Sequence, residues 1–144
     1  MWDNVVTTGP WNCMQAVNRS SSGTGHGWAA VNMVFWNCDA KFMFIQKPPT
    51  GQNFLIGRKH TKPYVYLTSY EEELAEMMKW IEFHAKKTFT YAKGATAIGD
   101  GYIEYPNSLV SPRSLYLEQL KERLGMQAVQ NIATEEQIRQ YLQE

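Results

Sequence analysis

The groups able to do chemistry are unevenly spread along the 144 residues. The first sixty residues hold two carboxylates, Asp3 and Asp39, against Arg19, Lys41, Lys47, Arg58 and Lys59, a net of +3, and the remainder carries −3. A cationic half suggests an anionic partner. Arginine clamps a carboxylate with two parallel hydrogen bonds, and histidine is the natural base near neutral pH. Arg19, Lys47, Arg58, His26 and His60 are therefore candidate contacts for an acidic substrate. Glycoside hydrolysis needs two carboxyl groups flanking one bond. Asp3 and Asp39 lie far apart in sequence, so no complete hydrolase dyad is expected. Trp2, Trp11, Trp28 and Trp36 can stack on sugar rings or fill an interior, with packing the expectation for any one of them. The histidines at 26, 60 and 84 have no ligand-type spacing, so no metal site is expected. Gly23 to Gly27 lacks the Lys-Ser/Thr ending of a phosphate loop.

Composition narrows the class. Hydrophobic residues make up 44% and charged ones 19%, which excludes a disordered tail. No apolar run reaches the length of a membrane span, and no signal-peptide pattern is present. Fourteen basic residues balance 14 acidic ones, removing the excess expected of a nucleic-acid binder.

Short strands are expected to carry these groups in the first sixty residues: Asp3 to Val6, Gln15 to Asn18, Ala30 to Trp36, Phe42 to Ile45 and Phe54 to Ile56. Trp11-Asn12-Cys13 recurs as Trp36-Asn37-Cys38, 25 residues later. Such a period fits one coil of stacked parallel strands. It places Cys13 beside Cys38 as stacked free thiols, and lets Asn12 and Asn37 share amide bonds. Further on, Ser69 to Glu72 reads as a capping box opening a helix over about 71–87. Thr88 to Ala92 and Tyr102 to Tyr105 read as strands. Pro112 reads as the first residue of a helix closed by Gly125, with Leu117, Leu120 and Leu124 inward. Thr134 to Gln137 forms a second capping box, with Ile138, Tyr141 and Leu142 inward.

Several blocks carry a resemblance. They are Asn18-Arg19, Gly23 to Ala29, Val34 to Cys38, Gln46 to Pro49, Asn53 to Gly57, and Pro112 to Gly125. With these the chain resembles the C-terminal part of bacterial right-handed parallel β-helix proteins of the pectate-lyase-like superfamily. The resemblance implies a mainly β fold: terminal β-helix coils over 1–60, an insertion with one amphipathic helix over 61–110, and capping helices over 111–144. It implies a polysaccharide lyase acting on acidic uronate polymers, a glycoside hydrolase of the same fold, or a non-catalytic glycan-binding or structural module. The implied substrate contacts are His26, Arg19, Lys47, Arg58, His60 and Trp28, with catalytic residues unassigned. Calcium in a longer protein, upstream coils as a partner, and a secreted, periplasmic or cell-surface location follow from the same resemblance. So does a reading of Met1 as internal to a longer frame, with an adhesive N-terminal edge.

Overall fold

The computed structural model describes residues 1–8, 13–17, 28, 30–40, 42–58 and 99–143. Six strands come first: β1 (Trp2–Asp3), β2 (Cys13–Ala16), β3 (Val34–Trp36), β4 (Phe42–Ile45), β5 (Phe54–Ile56) and β6 (Tyr102–Glu104). Three helices follow: α1 (Leu115–Leu124), α2 (Met126–Ile132) and α3 (Glu135–Leu142). The helix expected over 71–87 and the strand expected at Thr88 to Ala92 lie outside the described residues.

The strands are rich in β-branched and aromatic residues, which fit a pleated, half-buried surface. From β1 to β5 the chain alternates between two parallel sheets, one ordered β1-β3-β5-β6 and one pairing β2 with β4. In the larger sheet Trp2 lies beside Phe35, Phe35 beside Leu55, and Leu55 beside Ile103. Phe35 and Leu55 point inward from this column and meet Met14, Ala16, Met43 and Ile45 from the smaller sheet, with Cys38 and Ala40 closing the core. Their flanking residues are less buried, the alternation expected of a strand with one face inward.

A shared corner ends each strand of the larger sheet. Asn4, Asn37, Gly57 and Tyr105, each just after a strand, all have positive φ, at 55°, 49°, 69° and 50°. A single left-handed residue turns the chain sharply, and glycine and asparagine adopt that conformation at least cost. Backbone bonds continue through the corners, from Asn4 N to Trp36 O, Asn37 N to Ile56 O, and Gly57 N to Glu104 O. Gly57 is required twice over, because a Cβ there would come within 2.3 Å of Asn37 Oδ1.

Beyond the corners lies a buried ion pair. Arg58 Nε donates to Asp39 Oδ1 at 2.8 Å and Arg58 Nη2 to Ala40 O at 2.9 Å. Asn53, also fully buried, accepts from Met33 N and donates to Ala30 O and Gln46 O.

The helices form a second, smaller core of Leu117, Val129 and Tyr141, with Leu120, Met126 and Ile138 around it. It is hooked to the sheet by side chains. Asn37 Nδ2 donates to Val110 O (2.8 Å) and Arg113 O (3.0 Å), and its Oδ1 accepts from Val110 N (2.8 Å). Trp36 Nε1 donates to Pro112 O. Asp3 Oδ2 accepts from Ser114 Oγ and from Tyr116 N, at 2.8 and 2.7 Å.

Several expectations are corrected here. The fold is mixed α/β, with two small parallel sheets and three helices, and not a mainly β right-handed parallel β-helix. The strands run for only two to four residues, and helical residues outnumber strand residues among those described. The tripeptide repeat does not mark equivalent positions. Cys13 opens β2 and pairs with Phe42, whereas Cys38 follows β3 and donates toward Trp2 O and Trp36 O. Spacing between register partners is unequal from rung to rung, because the connections differ in length. Both cysteines are free thiols. Asn37 spends its amide on the 110–113 segment, while Trp11 and Asn12 lie outside the described residues.

Helix α1 begins at Leu115, not Pro112, because Ser114 is the cap: its side chain accepts from Leu117 N. Leu124 and Leu142, expected inward, are exposed at 70% and 62%. Each ends its helix, where the chain turns away from the small core. The capping box at Thr134 and Gln137 forms as the sequence indicates.

Candidate functional site

The outer face of the larger sheet has a half-open aromatic end. β5 and β6 each begin with an aromatic residue, and parallel register sets Phe54 beside Tyr102. Leu55 and Ile103 face the core, so the alternation turns Phe54, Ile56, Tyr102 and Glu104 outward. The Phe54 and Tyr102 rings lie 6.0 Å apart, tilted by 58°. Tyr102 is 47% exposed. Its hydroxyl donates to Glu104 Oε2 at 2.9 Å, two residues along the same face. That bond, then the charge of Glu104, holds the Tyr102 proton to higher pH than usual. Tyr105, at the corner, is 54% exposed. The surface thus offers aromatic area next to a carboxylate acceptor.

The end of β4 meets the segment that leads into β6. Gly101 N donates to Ile45 O, Tyr102 N to Asn53 O, and Lys47 N to Gly99 O. Lys47, one of the expected contacts, is half-buried just before the β6 segment in space. Asp100, next to Gly99, has its carboxyl pushed up by desolvation.

Of the other expected contacts, Arg58 and Trp28 are among the described residues. Arg58 is 1% exposed and committed to Asp39 and Ala40. Trp28 is half-buried, and its Nε1 has no hydrogen-bond partner. Arg19, His26 and His60 lie outside the described residues. The two carboxylates of the first sixty residues both have structural duties, Asp3 at the start of α1 and Asp39 with Arg58. Phe54, Tyr102 and Glu104 were not singled out by the sequence. Their signal was two short strands each opening with an aromatic residue, and it takes a register to read. Among the described residues no group of three or more His, Cys, Asp or Glu side chains is placed to hold a metal ion. No described helix is long and apolar enough to cross a membrane.

No protein-family model, no curated protein and no solved structure matches the chain. The fold and its surface therefore stand on their own geometry.

Proposed function

We propose that the chain is a polysaccharide-recognition module that stacks sugar rings on Phe54 and Tyr102. The observation carrying this reading is the in-register aromatic pair beside the Tyr102–Glu104 hydrogen bond, on the outer face of a parallel sheet. Glu104 accepts from ring hydroxyls. The location outside the cell and the uronate preference come from the resemblance and from the cationic first half, and they belong to this proposal.

A lyase needs a base and a clamp for the uronate carboxylate. Arg58 is spent on Asp39, so recognition carries the proposal, and elimination is measured beside it. Oligosaccharides, uronate and neutral, are titrated by calorimetry while absorbance follows unsaturated products. The expected result is saturable binding that weakens about tenfold in Tyr102→Ala, from lost ring contact. Binding of uronate oligomers should also weaken as salt rises. Binding unchanged in Tyr102→Ala and Phe54→Ala would rule the face out. Unsaturated product would restore the lyase reading.

A further inference from the structure

The helix α3 is held to the rest of the molecule by two side chains. Of its eight residues only Ile138 and Tyr141 are withdrawn from solvent. Ile138 leans on the rim of the small helix core, and Tyr141, 4% exposed, sits inside it with Leu117 and Val129. The Tyr141 hydroxyl donates to Glu118 Oε2 and accepts from Lys121 Nζ at 3.3 Å, so both partners stand on α1. Lys121 Nζ also lies 3.3 Å from Glu118 Oε1, which closes the contact into a triangle. Among the described residues, the other side-chain bonds of α3 stay within the helix and its cap: Gln140 to Glu136, Arg139 to Glu136, and Gln137 with Thr134. Tyr141 also lines two separate cavities. One, of about 420 Å³, reaches Asp3, Arg113 and Gln140. The other, of about 340 Å³, reaches Ser111, Pro112 and Lys121. Where a side chain borders open space it has no dispersion partner on that side.

We propose that α3 is a hinged lid, latched shut by the contact of Tyr141 with Glu118 and Lys121, and that releasing this latch joins the two cavities into one cleft against Leu117 and Val129. The fold supplies the other parts of such a device. The hinge is Ala133 and Thr134, both extended between α2 and α3, and hinges are commonly a few residues at the ends of elements. The capping box of Thr134 and Gln137 satisfies the first turn of α3 from within the segment, so the helix swings as one body with its N-terminal bonds intact. Glu118 and Lys121 remain paired on α1 when Tyr141 leaves, so neither charge is stranded. Opening costs the burial of two side chains and one hydrogen bond to a charged group, well short of unfolding either core.

The test is native-state hydrogen exchange on the full, isotope-labelled chain near neutral pH, read residue by residue by nuclear magnetic resonance. Expected is exchange of the Ile138 to Leu142 amides at least about tenfold faster than the slowest amides of α1, with little dependence on added urea, the mark of a local opening. Relaxation dispersion should report the same event at the Val129 methyls, whose surroundings change as the cavities join. Tyr141→Phe keeps the ring and deletes the hydroxyl. It should speed α3 exchange about fivefold and leave α1 unchanged. Exchange of α3 at the rate and urea dependence of α1 in the parent chain would overturn the lid, whatever the variant does. Equal acceleration of all three helices in Tyr141→Phe, or none in α3, would overturn the latch. Val129 methyls silent while α3 opens would overturn the joined cleft.

Discussion

At the scale of single residues, the two cysteines are withdrawn from chemistry by burial. Cys38 is fully buried, and burial pushes its thiol up to about 11. Burial also raises Cys13. A thiol with that environment is a small apolar residue and a poor nucleophile at neutral pH. The linkage has a definite sign. Between the ordinary thiol range near 9 and the native value near 11, the folded chain holds a proton that the unfolded chain releases. The stability due to a neutral Cys38 is therefore intact below about pH 9 and is lost as pH rises toward 11. Urea midpoints measured from pH 8 to 11 should fall less steeply in Cys38→Ala than in the parent chain, since tyrosines and lysines titrate in both. Identical slopes would show that Cys38 ionises in the native state as easily as in the unfolded one. The sequence displayed both cysteines but misassigned their relation, because a repeated tripeptide does not reveal which strand sits beside which. The Arg58–Asp39 pair was equally hidden. Nothing local distinguishes a substrate-seeking arginine from one buried against a carboxylate two strands away in sequence.

At the scale of elements, the legible features were those set by local physics. The strands Phe42–Ile45 and Phe54–Ile56 fall where the sequence put them. The box at Thr134 forms because hydroxyl and amide are fixed three residues apart. The short helix α2 was missed: Met126–Ile132 follows directly on Gly125, with no side-chain cap to announce it. The left-handed corners were legible in principle, since Asn4, Asn37 and Gly57 are types that favour positive φ, but Tyr105 is not. The link between α1 and β1 rests on Ser114, which caps α1 and donates to Asp3. Ser114→Ala removes both bonds at a site only 7% exposed. A loss of about 1–2 kcal/mol is expected from equilibrium urea unfolding, the range for an N-cap. A change within about 0.5 kcal/mol, as at an ordinary surface site, would mean that Leu117 N finds another acceptor and Asp3 Oδ2 another donor.

At the scale of the whole molecule, two cores are joined through one polar hinge. The sheet core and the helix core share no buried residue, and the segment 110–116 hooks onto Asp3, Trp36 and Asn37 between them. Asn37 holds the centre of this junction. It is fully buried and bonds both the N–H and the C=O of Val110 together with the C=O of Arg113. Replacing it with Ala leaves those backbone groups unpaired away from water, at about 1–3 kcal/mol for each. The same change also removes the asparagine that tolerates φ of 49° at the corner. The penalty falls on the junction and not on either core, so the cooperativity between them should suffer first. In a background with Trp11, Trp28 and Trp80 replaced by Phe, tryptophan fluorescence, which then reports Trp2 and Trp36 at the sheet, and far-ultraviolet circular dichroism, dominated by the helices, should melt together. In Asn37→Ala the helical signal should be lost at a lower temperature than the tryptophan signal. Coincident transitions in the variant, shifted down as a pair, would show that the two cores are coupled by packing and that the Asn37 junction is incidental to it.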